Sequence, residues 1–347
     1  MSSSPPRIFV TGVSGYVGGH MMGRLLKKHP EWHIAVLVRD QAQKAIVLGR
    51  WPQLEAVIGD LDNSALMIKE GSKADAVLQT ASADHNSGVV SLIQGLNQRQ
   101  PTPGYLIHIG GTGILHDTPN GFGQPSDKIY HDTTDLAEIT SFPVEGHLHR
   151  DVDLAILEAQ KRLNVPTAIL SPPLVHGVGK GPIKTRSIQI PAMAEAILKR
   201  GKGFQILEGR NIWDHVHVDD LSEAFILLAE EALKPNGGNA QWGDEGYYFA
   251  EAGEFKWGEV SEAISKIMTD EGLIKAAEVD KVSIAEAAAM HPWAPIIWGG
   301  NARSRSDRLH TLGWKPQGPS LYESLPSMIK EEVKTLGTQS SRLSFDK

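Results

Sequence analysis

The sequence contains no cysteine, which excludes disulfides, thiolate nucleophiles and cysteine metal sites. No apolar run approaches the roughly 20 residues that cross a bilayer. The first residues, Met1-Ser2-Ser3-Ser4-Pro5-Pro6, carry neither a basic region nor an apolar core, so no targeting segment is expected and cytoplasmic residence is. Positive charge is in deficit, with 34 Lys and Arg against 41 Asp and Glu and a formal net charge of -7. Without a long basic cluster, nucleic acid is a poor partner and a small-molecule substrate a better one. His215 and His217 share a strand face, but no third ligand is clearly positioned beside them, so no metal is expected. At 347 residues the chain can bury a large core without staples.

What is present is a glycine-punctuated loop, Thr11-Gly12-Val13-Ser14-Gly15-Tyr16-Val17-Gly18, placed between the apolar run Ile8-Phe9-Val10 and a helical pattern through Met22, Leu25 and Leu26. A strand turning tightly into a helix, with backbone open to a ligand, is a phosphate cradle. Further apolar runs at 34–38, 56–58, 76–78, 106–109 and 167–170 alternate with helical patterns, as parallel strands joined by crossovers do. The fold class expected is α/β: a doubly wound parallel Rossmann-type sheet with a smaller C-terminal α/β substrate region. Its divisions fall at 1–175, with parts of 204–250, for the dinucleotide domain, and at 176–203 and 251–337 for the substrate region. Residues 338–347 read as a frayed tail. The stretch from Gly113 to Glu145, with three prolines and little helical period, reads as a long lid or binding loop.

Arg39 stands at the end of the second strand, where dinucleotide sites read the adenosine ribose. A guanidinium there suits a 2′-phosphate, so NADP(H) is favoured over NAD(H). Asp40, one residue later, could instead take a 2′-hydroxyl.

Together with Gly59-Asp60-Leu61, Thr80-Ala81-Ser82, Pro172-Pro173-Leu174-Val175-His176-Gly177, the segment 214–221 and Leu312-Gly313-Trp314-Lys315-Pro316, the cradle resembles the extended and atypical short-chain dehydrogenase/reductase superfamily over most of the chain. The resemblance implies a cofactor site of Gly12, Ser14, Gly15, Tyr16, Val17, Gly18, Arg39, Asp60, Leu61, Thr80, Ala81, Ser82, His149, Pro172, Leu174 and Val175. It also implies that a homodimer can form through helices flanking the sheet.

The usual Ser/Thr and Tyr-x-x-x-Lys of that superfamily are missing. Counted by the family's spacing, Gly111 stands at the serine position with Thr112 adjacent, Glu145 at the tyrosine position, His149 at the lysine position, and Asp153 where a glutamate is common. Thr112 either presents its hydroxyl to substrate or stabilises the turn. His149 either holds the ribose, carries a proton or simply starts a helix. Glu145 is either an acid/base or a carboxylate favoured by the helix dipole. Trp213 replaces the arginine found near substrate phosphate in many sugar-nucleotide members, which weakens that substrate class. Trp257, Trp293, Trp298 and Trp314 read as core or hinge residues, with Trp293 and Trp298 able to face a pocket. The expected function is an NADP(H)-dependent reductase of a small organic carbonyl, imine or activated alkene with a non-standard proton donor. The alternatives are a redox-neutral epimerase or dehydratase, and a non-catalytic NADP(H)-sensing protein.

Overall fold

The computed structural model describes residues 5–338; the expected frayed tail lies outside them except for Thr338. Seven parallel strands form the main sheet: β1 (Arg7–Thr11), β2 (His33–Val38), β3 (Glu55–Ile58), β4 (Ala76–Gln79), β5 (Tyr105–Ile109), β7 (Thr167–Ser171) and β11 (Tyr247–Phe249). Their order is β11-β7-β5-β4-β1-β2-β3. Helices on both faces explain why the strands read as continuous apolar runs. Phe9, Val77 and Leu106 feed one buried core, and Ile8, Val10, Leu78 and Ile107 the other. Alternate residues of a strand point to opposite faces, so one sheet builds two cores.

The register matters for function. Thr11 pairs with Gln79, Gln79 with His108, Ile109 with Leu170, and Val38 with Ile58. The carboxyl ends of these strands therefore come level, and the segments that follow them line one edge, where open α/β sheets bind ligands.

Three smaller sheets carry the remaining strands: β8 (Leu174–His176), β10 (Ile212–His217) and β12 (Glu254–Lys256); β9 (Gly203–Ile206) with β13 (Val279–Val282); and β6 (Tyr130–His131) with β14 (Ser304–Arg305). The helices Gln189–Arg200, Trp257–Asp270 and Leu321–Thr338 pack around them.

Two features differ from the sequence reading. The three-residue β11 adds a seventh strand to the main sheet from within the 204–250 stretch, where no strand was expected at these residues. The 113–145 segment is not a free lid. It contains a 3₁₀ turn (Thr112–Leu115), β6 and the helix Leu136–Thr140, and it is sewn to the distant 299–308 segment. Asp117 and Asn301 exchange backbone hydrogen bonds at 3.0 Å, and the buried Asp132 carboxylate accepts from the amides of Phe249 and Arg308 at 3.1 Å. Such pairings depend on partners over 100 residues away and leave no local pattern.

Candidate functional site

At the end of β1 the chain turns at Gly12 with φ of +88°, a conformation that favours glycine. A Cβ there would lie 2.5 Å from Ala81 N and Thr80 C, and one on Gly18 would lie 2.4 Å from Gly12 O and Thr80 Oγ1. The Thr80 hydroxyl itself donates to Thr11 O at 2.7 Å. Three backbone segments thus meet where no side chain fits. The helix Tyr16–Lys28 starts after Gly15 with no acidic residue in its first turn and no side-chain cap. The amides of Tyr16, Val17 and Gly18 therefore have no partner within the helix. Half-buried Ser14 precedes them, Val17 packs on the core, and the Tyr16 phenol donates to Gly177 O at 2.7 Å. Burial, then the charge of Asp219, raises the Tyr16 pKa, so this phenol stays protonated as a structural tie.

The Arg39 side chain is exposed and its guanidinium forms no ion pair among the described residues; its amide donates to Gln43 Oε1 at 3.3 Å. Asp40 is committed elsewhere: it caps the helix Gln41–Arg50, its carboxylate accepting from Gln43 N at 2.8 Å. At the next strand end, Asp60 Oδ1 accepts from the amides of Asp62 and Asn63 at 3.1 Å, while Leu61 is buried. Ala81 is exposed beside the cradle, and Ser82 accepts from Gln79 Nε2 through its carbonyl and from Asp84 N through its hydroxyl. Pro172 O accepts from Thr112 N at 3.0 Å, Leu174 is core and Val175 is half-buried.

The second constellation gathers around His149. The helix expected to run through both Glu145 and His149 begins only at Arg150, with His149 as its N-cap at φ of +67°. Glu145 is left exposed on the preceding loop, with no hydrogen bond or ion pair among the described residues, and does not join the group. Pro143 and the positive φ of Gly146 break the helical path that the residue count assumed. His149 Nδ1 lies 2.6 Å from Asp84 Oδ1. A carboxylate only accepts, so Nδ1 carries the proton and donates. Nε2 then lies 2.9 Å from where a Cβ on Gly111 would be, and 3.6 Å from one on Gly113. Burial works against charge on this ring, but the hydrogen bond and charge of Asp84 outweigh it and raise its pKa. The same bond holds the Asp84 carboxyl below its ordinary range. Behind them, burial and then the charge of His149 hold His108 down at about 3, so that ring is neutral.

Thr112 is buried, and it is its amide, not its side chain, that anchors the turn; Oγ1 has no partner among the described residues. Asp153, fully buried, is pushed up to about 6 by burial and accepts from the Tyr247 phenol at 2.9 Å. Along the loop that precedes His149, a cavity of about 190 Å³ is lined by His116, Val144, Gly146, His147, Leu148 and Ile296, with no lysine or arginine; His149 itself does not line it. Trp213, Trp257, Trp298 and Trp314 are all core, whereas Trp293 is exposed. His215 does meet a second imidazole, with Nδ1 3.1 Å from His176 Nε2, but no metal-holding group exists among the described residues. Asp84 was not among the expected residues. Its one sequence signal is a polar position just past a strand end.

A model of the NAD dependent epimerase/dehydratase family matches residues 8–91 and 149–240. The gap between these spans contains Gly111 and the long connection. The chain is 34% identical over 346 residues to a protein named oxidase ucsJ from Acremonium sp, covering 95% of this chain and 99% of that one. It is 25% identical over 268 residues to UDP-glucose 4-epimerase of Lactobacillus helveticus, covering 66% and 74%. Among solved structures, the dTDP-glucose 4,6-dehydratase DesIV of Streptomyces venezuelae with NAD bound superposes with a TM-score of 0.67 at 19% identity, covering 96% and 99%. UDP-glucose 4-epimerase of Thermotoga maritima does so with a TM-score of 0.65 at 17% identity, covering 95% and 99%. Both share the fold.

Proposed function

We propose, for a chain that belongs to the NAD dependent epimerase/dehydratase family within the extended short-chain dehydrogenase/reductase superfamily, an NADP(H)-dependent reductase of a small organic carbonyl, imine or activated alkene. A nicotinamide-dependent enzyme is the coarser statement that the family supports. The finer reading rests on one observation above others: Asp40 is committed to capping a helix, while the exposed Arg39 guanidinium has no ion-pair partner among the described residues. The glycine loop fits a pyrophosphate, because Gly12 and Gly18 let it close on Thr80 and Ala81 and deliver the uncapped start of the helix Tyr16–Lys28, and Arg39 would hold a 2′-phosphate by charge and fork geometry. Thr80, Ala81, Ser82, Asp60 and Leu61 would flank the adenosine half, and Pro172, Leu174 and Val175 the nicotinamide half. When bound, the nicotinamide supplies the hydride.

The remaining chemistry is a proton, and His149 is the group placed to carry it. Its Nε2 faces the Gly111 turn, where a substrate oxygen or nitrogen would take the proton; the Thr112 hydroxyl, one residue on, is buried with no partner among the described residues. Glu145, exposed on its loop, has no part in this reading. The cavity beyond Leu148 offers apolar side chains and imidazoles, which suits a small neutral substrate better than a nucleoside diphosphate.

The test is turnover. NADPH consumption against a panel of carbonyls, imines and activated alkenes is the expected result. Redox-neutral conversion of a sugar nucleotide, or tight NADPH binding with no turnover across the panel, would overturn it.

A further inference from the structure

The assignment of His149 as proton carrier rests on the reading above and can be taken one residue further. We infer that Asp84 is a positioning residue for His149, holding Nδ1–H so that Nε2 is turned to the Gly111 turn, in room left for the ring by the absence of a side chain on Gly111.

Three observations carry this. The first is contact: Asp84 Oδ1 lies 2.6 Å from Nδ1, and the other ring nitrogen is the one turned to the Gly111 turn. The second is the glycine itself. Gly111 has φ of -175°, extended backbone that any residue adopts. The backbone therefore does not require glycine there, but space does, since a Cβ would lie 2.9 Å from Nε2 and 3.0 Å from Cδ2 of His149. The imidazole occupies the room that a serine at this position would need. The third is strain. His149 holds φ of +67° at a helix N-cap, yet its side chain makes no cap bond. Asn or Asp would serve that position better on both counts, and Gly on the first. A backbone conformation that disfavours histidine is retained while the ring is spent on Asp84, a pattern expected at functional sites.

The charged and titratable groups around the ring are consistent with the role. Asp84 approaches from the loop after β4, His108 from β5, and Asp151 and Asp153 from the ring's own helix. His108 is held neutral by burial, and neither of its ring nitrogens bonds Asp84 among the described residues. In the reductive direction the imidazolium gives its Nε2 proton to the substrate oxygen or nitrogen. The Nε2–H bond breaks, an O–H or N–H bond forms, and the ring is left neutral with Nδ1–H still on Asp84. The hydride comes from the reduced nicotinamide dinucleotide, and solvent returns the proton through the 21% of the side chain that is exposed.

Asp84 is 65% exposed, so truncation should leave the fold intact. The test is a ¹⁵N histidine spectrum of the full chain without dinucleotide. The wild type should show His149 titrating above the ordinary histidine range and, once neutral, protonated at Nδ1. Asp84→Ala should lower the titration midpoint and mix the two tautomers, and Asp84→Glu should partly restore both. Gly111→Ala should displace the ring and abolish the Nδ1 signature while Asp84 is still present. With a turned-over substrate, the pH profile of kcat/KM should move to lower pH in Asp84→Ala by the same amount as the spectral midpoint. An unchanged midpoint and tautomer in Asp84→Ala would overturn the positioning role even if His149 carries the proton. Full turnover in His149→Ala would instead overturn the functional reading on which it rests.

Discussion

Replacing Arg39 by alanine should change cofactor choice and nothing else. The residue follows β2, its side chain is exposed, and its guanidinium pairs with no described residue, so its loss removes no native contact and stability should stay within about 0.5 kcal/mol. Toward a 2′-phosphate the same guanidinium offers a charge-assisted fork, worth about 1.5–3 kcal/mol for hydrogen bonds to charged groups. At about 1.4 kcal/mol per tenfold, NADPH affinity should fall roughly 10- to 150-fold. NADH, which has no phosphate there, should bind as before. The assay is a fluorescence titration of both nucleotides at one fixed ionic strength, since a surface charge pair weakens with salt. Asp40→Asn is the companion, because Asn caps as well as Asp; it should leave the helix stable and not convert the site to NADH. An unchanged ratio of NADPH to NADH affinity in Arg39→Ala would refute the assignment of this residue to the phosphate.

Gly12→Ala adds a Cβ at φ of +88° and within 2.5 Å of two backbone atoms; strain and overpacking together should cost roughly 2–4 kcal/mol. Chemical denaturation should register that cost, and NADPH binding should be lost. Asp219 is held below the ordinary carboxylate range, first by the His20 hydrogen bond at 2.8 Å and then by Arg24. A depressed folded-state pKa gives stability that is present above the unfolded value of about 3.9 and lost as pH falls through the folded one. Asp219→Asn should therefore lower stability at neutral pH by about 2 kcal/mol and flatten the decline on acidification below about pH 4, as read by denaturant midpoints.

The glycine turn after β1 and the first six strands of the main sheet were legible because each is a local signal: glycine where backbone must close, and a short apolar run between helical patterns. What escaped depends on distance in sequence. Asp84 meets His149 across 65 positions, and nothing near either residue announces the other. Glu145 was placed by counting back along a helix, and the count failed where Pro143, Gly146 and the left-handed His149 end that helix early. The 113–145 connection read as loose because its order is borrowed from Asn301, Arg308 and β14. Gly111 was read as a missing serine, and its meaning changed once the imidazole was seen beside it.

The most direct measurement compares wild type and His149→Ala in NADPH binding and in NADPH consumption with one substrate found by the panel. The account predicts binding within a few-fold of wild type and turnover reduced about 10²- to 10⁴-fold, the usual contribution of a positioned acid–base group. Turnover at the wild-type rate in His149→Ala would contradict it.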